Sequence, residues 1–138
     1  MKTYRDDAIV LRCHDLGEAD RIITMLSRHN GKVRAVAKGV RRTKSRFGAR
    51  VEPFSLVDVQ LYRGRNLDTI TQVESRSPYA RALVADYDTY TCASAMVELA
   101  DRLTDENPEP EQFAILHGAL HAAAVRAHRP QLVLASYM

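Results

Sequence analysis

The sequence predicts an α+β chain in which a five-stranded barrel is followed by antiparallel helices. Up to Val73, five short segments rich in β-branched and apolar residues are separated by turn residues. After Ser77-Pro78, apolar residues recur instead at the spacings of three and four that are typical of helices. The chain therefore changes from strands to helices near its midpoint.

Charge is divided unevenly along the chain, although the net charge is only +3. Residues 1–76 carry sixteen Lys and Arg against nine Asp and Glu, whereas residues 77–138 carry four against eight. Between Asp20 and Glu52 there are ten basic residues and no acidic one. This concentration of positive charge indicates that the first half binds a polyanion.

The first three strands are expected to pair antiparallel. The first two are predicted at Ala8–Cys13 and Arg21–Ser27, and the third at Lys32–Lys38. Asn30-Gly31, between the second and the third, is typical of a tight hairpin. Within the third strand, alternate residues should share a face. Three small apolar residues should point inward, which leaves outward Lys32, Arg34, Val36 and Lys38.

The outward cations of the third strand have two interpretations. They can form a rigid binding face, or they can be the charges that protect a solvated edge strand from pairing with other chains. The basic loop Gly39–Arg50 that follows favours binding. This loop has neither strand nor helix periodicity, and its cations can follow a phosphate backbone. Phe47 could stack on an unpaired base, or it could hold the loop against the barrel.

The fourth and fifth strands are predicted at Leu56–Arg63 and Leu67–Val73, joined by the turn Gly64-Arg65-Asn66. The turn adds the cations Arg63 and Arg65 to one rim. Five strands with a long connection after the third are typical of a small Greek-key barrel of the OB type. We expect residues 1–76 to form this nucleic-acid-binding domain.

Residues 77–138 are expected to form a partial helical domain. A first helix begins after Ser77-Pro78 and extends to about Thr104; Asp86 and Asp88 could instead divide it into a short and a longer helix. A second helix follows the acidic, proline-containing segment 105–110 and is expected to stop before Pro130. The short connection implies antiparallel packing of the helices.

Other sequence features argue against several classes of protein. Cys13 and Cys92 are far apart and lack metal-binding spacing, so we expect free thiols in a reducing cytoplasm. His117 and His121 are four residues apart, but no third ligand is evident, and we predict no metal or other cofactor. Neither a GxxxxGK[ST] nor a GxSxG motif is present, so no enzyme activity is predicted. No signal peptide and no apolar segment long enough to cross a membrane are evident.

Several segments, in order, carry a resemblance to a known family. They are AIVLR at the start of the first strand, Leu16–Asp20, Ala37–Arg42, Phe47-Gly48 and the Leu56–Leu61 strand. Over Leu16–Ser75 the chain closely resembles the amino-terminal OB domain of the bacterial recombination mediator family RecO, and the helices resemble the start of that family's helical domain. The helical domain is expected to be truncated, because family members usually continue through more helices, many with a cysteine-rich zinc module.

The resemblance implies a DNA repair and homologous recombination mediator. Such a protein binds single- and double-stranded DNA, anneals complementary strands, and helps to load RecA onto DNA coated with single-strand-binding protein (SSB). Its implied protein partners are RecR and SSB, and its implied location is the bacterial cytoplasm, associated with the nucleoid.

The residues expected to contact DNA are one aromatic and eight basic side chains. Four to six phosphate contacts would give a slope of log K against log salt of roughly −3 to −4 for single strands. Two alternatives stay open from the sequence: a generic RNA-binding OB module, and a docking scaffold for acidic protein tails. The predicted DNA-binding residues are Lys32, Arg34, Lys38, Arg41, Arg42, Lys44, Arg46, Phe47 and Arg50.

Overall fold

In the residues that it describes, the computed structural model of the chain contains five strands, as the sequence predicts, followed by three helices. It describes residues 2–42, 45, 47–77, 79–105 and 107–137, with the backbone alone at 48, 49, 77, 79 and 128–137. A short 3₁₀ turn at Gly48–Val51 lies between the third and fourth strands. The elements are β1 (Thr3–Leu16), β2 (Asp20–Ser27), β3 (Lys32–Ala37), β4 (Leu56–Tyr62), β5 (Asp68–Ser77), α1 (Tyr79–Ala85), α2 (Tyr87–Leu103) and α3 (Pro110–Tyr137).

The strands close into a barrel in the order β1-β2-β3-β5-β4. This closed five-stranded arrangement, followed by helices, confirms the predicted OB-type fold. Strand β1 is 14 residues long, and it pairs antiparallel with β4 through Thr3–Ile9 and with β2 through Ala8–Leu16. Strand β1 therefore pairs with two neighbouring strands, and this double pairing helps to close the sheet into a barrel.

The seam between β3 and β5 is the shortest pairing in the barrel. These two strands run parallel, and only Ala35 with Asp68 and Val36 with Thr69 are paired. The other four strand pairs are antiparallel and are matched over six or more positions each. The barrel is thus closed by few backbone contacts at this seam.

The inside of the barrel is filled by alternate residues of all five strands. In β3, Val33, Ala35 and Ala37 are buried, as the alternation of the sequence predicts. Residues from the connection between β3 and β4 complete this core, among them Phe47 and Val51.

The connection between β2 and β3 is a four-residue hairpin, Arg28–Gly31. The Ser27 amide donates to the carbonyl oxygen of Gly31 at 2.9 Å, and Gly31 has a φ of 68°, which glycine adopts at little cost. Asp6 anchors the hairpin from β1. Its buried carboxylate accepts hydrogen bonds from the amide N–H of His29 at 2.9 Å and the side-chain amide of Asn30 at 2.7 Å.

The first helical segment is divided at Asp86, one of the two possibilities that the sequence leaves open. The Asp86 carboxylate accepts hydrogen bonds from the amide and the hydroxyl of Thr89, so it caps the N-terminus of α2. The expectation that the last helix stops before Pro130 is wrong, because α3 continues to Tyr137. Proline removes one backbone donor, which weakens a helix without always ending it.

A second apolar cluster joins the barrel to the helices. It contains outward residues of β1 and β2 together with residues of all three helices, including Ile9, Leu26, Leu83, Val97 and Phe113. This cluster crosses the predicted boundary between domains 1–76 and 77–138. The division into these two domains remains a prediction. None of the described helices has the length and apolarity that crossing a membrane requires.

Candidate nucleic-acid interface

The outer face of β3 carries Lys32, Arg34 and Val36, because the inward positions are occupied by small apolar residues, and Lys38 directly follows the strand. Arg34 and Lys38 are exposed to solvent, whereas Lys32 and Val36 are partly covered. The sequence therefore places cations on a rigid strand, and tertiary contacts decide which of them face solvent.

Lys32 is held against α2. Its ammonium group donates to the carboxylate of Asp101 at 2.9 Å and to the backbone oxygen of the same residue at 2.6 Å. Its own amide donates to the carbonyl oxygen of Asp105 at 2.8 Å. The Lys32 side chain is 22% exposed. The expectation of a solvent-facing cation at this position is corrected: Lys32 links the barrel to the helices.

Three predicted cations remain open to solvent. Arg34, Lys38 and Arg42 are exposed, and no side-chain ion pair or hydrogen bond joins any of them to another described residue. Arg42 follows the turn at the end of β3, where its amide donates to the Gly39 carbonyl oxygen at 3.1 Å. These three side chains can therefore contact a ligand without first breaking an internal contact among the described residues.

Arg41 has a partly structural position. Its guanidinium donates to the carbonyl oxygen of Gly17 at 3.0 Å and lies 3.5 Å from the carboxylate of Asp15. The Arg41 amide also donates to the carbonyl oxygen of Ala19 at 2.9 Å. Arg41 thus ties the end of β3 to the β1–β2 connection, with its charge partly neutralised by Asp15.

The rest of the predicted basic loop divides into three cases. Lys44 and Arg46 lie outside the described residues. Phe47 is 2% exposed and belongs to the barrel core, so its ring is not presented to a base in this structure; it holds the loop against the barrel. Arg50 is exposed and borders an open groove of about 900 Å³ along Thr71–Ser75 of β5.

The turn between β4 and β5 is a further basic element beside β3. It carries exposed Arg63 and Arg65, and the pairing of Asp68 with Ala35 brings it alongside β3. The turn is closed tightly, because a Cβ atom added at Gly64 would lie 2.0 Å from the carbonyl oxygen of Leu67. The sequence predicts that Arg63 and Arg65 lie at a rim of the barrel. It does not predict that the turn carrying them lies next to β3.

Tyr4 supports the β4–β5 turn from β1. The Arg63 guanidinium lies 4.4 Å from the centre of the Tyr4 ring, and the Tyr4 hydroxyl donates to Asp68. Burial and the neighbouring Asp68 carboxylate raise the pKa of Tyr4 well above its ordinary value. Tyr4 is therefore neutral near pH 7, and its hydroxyl proton holds Asp68 in place.

Cations on the opposite side of the barrel are paired within the protein. Arg76 lies between Asp7 and Asp58, at 3.3 and 3.5 Å, and Arg5 contacts Asp58 at 3.0 Å. Arg28 contacts Asp7 at 3.5 Å. Acidic residues on β1 and β4 therefore compensate the charge there, which distinguishes this side from the face of Arg34, Lys38 and Arg42.

The carboxylates at Asp20 and Asp86 have structural roles. Asp20 accepts a hydrogen bond from the Gly39 amide at 2.7 Å and so fixes the turn after β3. Asp86 caps α2, and its pKa is lowered by the hydrogen bonds from the Thr89 amide and hydroxyl. The described hydrogen bonds of both carboxylates are to a turn amide or to the start of a helix, and none is to a histidine or lysine that could act as a catalytic base.

His117 and His121 form a stacked pair on α3, with ring centres 6.4 Å apart, and His117 also stacks on Phe113. Burial lowers the pKa of His117, and the charges of His121 and Arg28 lower it further. In the part of the chain that the structure describes, no group of three or more His, Cys, Asp or Glu side chains is placed to hold a metal ion.

Burial raises the pKa of the Cys13 thiol to about 12.

Comparison with known proteins identifies the family. The family model described as "Recombination protein O N terminal" matches residues 1–79, and the one described as "Recombination protein O C terminal" matches residues 84–138. The two matches correspond to the barrel and to the helical part of the chain.

Curated relatives lead to the same family. A protein named DNA repair protein RecO from a Nocardioides species is 59% identical over 137 residues, which cover 98% of this chain and 56% of the relative. Proteins of the same name from Cutibacterium acnes and Thermobifida fusca are 54% and 53% identical, over 100% of this chain and 58% of each relative. The chain spans less than two thirds of the length of these relatives. On both comparisons, the chain belongs to the RecO family.

Proposed function

We propose that this chain is a non-enzymatic DNA-binding module that acts in DNA repair and homologous recombination. The observation that carries the proposal is the group of exposed cations on and beside β3 of an OB-type barrel, namely Arg34, Lys38, Arg42 and Arg65. Arg63 lies in the same turn as Arg65, and Arg50 borders the groove along Thr71–Ser75 of β5. The names of the relatives support DNA as the polyanion.

The proposed contacts are to phosphate groups. Exposed Arg and Lys side chains that contact phosphates bind without reading sequence, because every nucleotide carries the same phosphate. Lys44 and Arg46 belong to the proposal from the sequence alone. Lys32 and Phe47 are left out, because the first is paired with Asp101 and the second is buried.

Strand annealing and binding of both single- and double-stranded DNA are part of the same proposal. Cations that neutralise phosphates reduce the repulsion between two strands, while base edges that make no contact stay free to pair. We further propose that the chain acts with RecR and SSB in loading RecA, in the bacterial cytoplasm next to the nucleoid. The acidic helical half is the proposed region of protein contacts.

The test is the salt dependence of binding to a fluorescein-labelled dT oligomer, measured by fluorescence anisotropy between 50 and 300 mM KCl. With about four phosphate contacts, we expect a slope of log K against log salt of roughly −3. The double variant K38E/R42E should weaken binding by about tenfold or more and flatten the slope by roughly 1.4, because two contacts are lost.

A matched control changes the same number of charges on the helices. Arg81 and Arg126 are exposed on α1 and α3, and R81E/R126E should bind almost as wild type does. Equal losses in the two double variants would mean that net charge, and not this surface, determines binding. An unlabelled rU oligomer of matched length, used as a competitor beside an unlabelled dT oligomer, tests the RNA-binding alternative: preference for RNA over DNA would contradict the proposal.

A further inference from the structure

Three residues form a row across the outer face of the barrel, from β1 through β2 to β3. Arg12 is paired with Thr24, and Thr24 is paired in turn with Arg34. We infer that this row is a binding subsite for one backbone phosphate of a nucleic acid, with both guanidinium groups and the Thr24 hydroxyl as donors. The inference rests on the proposed function and specifies one contact of that surface.

A β-bulge brings Arg12 to this face. The register of β1 with β2 shifts between Val10 and Arg12, so that Leu11 is an extra residue. Val10 before the bulge and Cys13 after it pack with the interior of the barrel, whereas Leu11 belongs to the outer cluster with the helices. The bulge therefore gives β1 two successive outward residues: Leu11 contacts the helices, and Arg12 lies beside Thr24.

The hydroxyl of Thr24 is the observation that points to a ligand. Thr24 is 1% exposed, and its Oγ1 atom has no hydrogen-bond partner among the residues that the structure describes. Its sequence neighbours Ile23 and Met25 point into the barrel, so Thr24 points outward, between the two arginines. A buried hydroxyl without a partner destabilises the free protein, and valine would fill the same space without this cost. A phosphate oxygen would give the hydroxyl an acceptor.

The two arginines are placed to hold one phosphate between them. Directly paired residues on adjacent strands are about 4.8 Å apart, so Arg12 and Arg34 start roughly 9.6 Å from each other. Two guanidinium groups on long side chains can converge over that distance, and each can bind phosphate oxygens in a bidentate manner. Arg34 also borders an open groove of about 480 Å³, through which a ligand can approach.

Asp101 supplies the counter-charge in the free protein. Its carboxylate lies 3.6 Å from the Arg12 guanidinium and 2.9 Å from the Lys32 ammonium. The Arg12 side chain is half exposed, and its contact with Asp101 is the longest of the ion pairs among the described residues. A phosphate can therefore replace the contact of Asp101 with Arg12, while the closer contact with Lys32 remains.

The experiment compares two substitutions at Thr24 in the labelled dT oligomer assay. T24V keeps the volume and removes the hydroxyl, whereas T24S keeps the hydroxyl. We expect T24V to raise the Tm and to weaken binding by about threefold to tenfold, the loss of one hydrogen bond to a charged group. T24S should bind within about twofold of wild type, because it can still donate to the phosphate.

The arginines are tested by the salt slope. R12Q and R34Q should each flatten the slope by roughly 0.7, the value for one phosphate contact on a single strand. R5Q is the matched control, because Arg5 is an exposed arginine of β1 that pairs with Asp58 on the other side of the barrel. It should leave the slope unchanged. Inorganic phosphate at equal ionic strength should not compete with the oligomer; competition that T24V removes would assign the site to free phosphate and overturn the inference.

The outcomes separate the subsite from the wider proposal. If the wild-type chain binds with a steep salt slope but T24V and R12Q bind equally well, the subsite is overturned and the proposed DNA surface stands. If K38E/R42E binds as wild type does while T24V and R12Q lose affinity, the subsite stands without the rest of the surface. If the wild-type chain does not bind the oligomer at all, both are overturned.

Discussion

The two ends of strand β3 carry the same side chain in different surroundings. Lys32 at the start is paired with Asp101 of α2, and its amide is bonded to the carbonyl oxygen of Asp105. Lys38, just after the other end, is exposed and has no ion pair among the described residues. The difference teaches that a basic segment of sequence is not itself a binding surface, because the fold brings acidic residues to some of its cations.

The polar groups around the two ends follow the same division. At the start of β3, the hairpin Arg28–Gly31 is fixed by buried Asp6, and Arg28 lies 4.6 Å from the ring centre of Phe113 in α3. We call this region, with Lys32 and Asp101, the covered end. Beyond Ala37, exposed Lys38 and Arg42 form the open end. We expect substitutions at the covered end to change stability, and those at the open end to change binding.

The largest effect on stability is expected from Asp6→Ala at the covered end. The substitution leaves the donors of His29 and Asn30 without their acceptor, which should lower the free energy of unfolding by about 3 kcal/mol. Asp15→Ala removes an exposed carboxylate as the control, with a loss within about 1 kcal/mol. Urea unfolding measures both. If folded Asp6→Ala protein had a flatter salt slope for DNA, the division between the two ends would be contradicted.

A smaller loss is expected from Gly64→Ala, in the turn beside β3. The new Cβ atom would lie 2.0 Å from the Leu67 carbonyl oxygen, so the turn must open, at a cost of about 2 kcal/mol. Because the turn carries Arg63 and Arg65, DNA affinity should also fall. Gly118→Ala in α3 is the control: nothing lies within 4 Å of its Cβ, and it should stabilise the helix by about 1 kcal/mol. Loss of stability without any loss of affinity would place the turn outside the binding surface.

The sharpest test of the comparison uses the two lysines themselves. Lys32→Met breaks a partly buried ion pair and should lower the free energy of unfolding by about 1 kcal/mol, with no change in the salt slope. Lys38→Met should change stability by less than about 0.5 kcal/mol and flatten the slope by roughly 0.7. Thermal unfolding measures the change in stability of both variants, and DNA titration at several salt concentrations measures the change in their salt slopes. If Lys32→Met were the variant that flattened the slope, the comparison would be reversed.

The smallest effect is expected from pH, and it should arise at the covered end. The pKa of His117 is lowered below its ordinary value of 6.5, mainly by burial. The unfolded chain therefore takes up this proton at a higher pH than the folded one. The stability that neutral His117 contributes is full above pH 6.5 and declines as pH falls through that value toward the lowered pKa. His117→Gln should flatten the decline in Tm below pH 6.5. Identical profiles for variant and wild type would contradict this.

Much of the fold could be predicted because its signals are local. The five strands, the hairpin at Asn30-Gly31 and the alternation of β3 depend on neighbouring residues, as does the capping by Asp86. The length of β1 could not be predicted from Ala8–Cys13, since Thr3–Leu16 extends that segment at both ends through pairing with β2 and β4. The continuation of α3 past Pro130 was also missed, because the sequence rule treats proline as a stop.

The candidate site was less predictable than the fold, because its distinctions depend on distant residues. Asp101 lies 69 positions from Lys32, and no periodicity indicates their contact. Burial of Phe47 depends on a core built from all five strands. Arg12 was missed because the bulge at Leu11 breaks the alternation that would otherwise assign it to the barrel interior. The outward direction of Lys32 and Arg34 was predictable, since it depends only on the alternation of one strand; the exposure of Arg34 and the pairing of Lys32 depend on tertiary contacts.

The short seam between β3 and β5 has a consequence for the motions of the barrel. With only two paired positions, it is where thermal strand separation should begin, and the amide hydrogens that bond across this seam should exchange earlier than those of the antiparallel pairs. Arg34 and Lys38 lie on one side of the seam, and the turn with Arg65 lies on the other. A nucleic-acid strand bound to both sides would link β3 to the β4–β5 turn across this seam. We therefore expect bound nucleic acid to slow the exchange of these amide hydrogens.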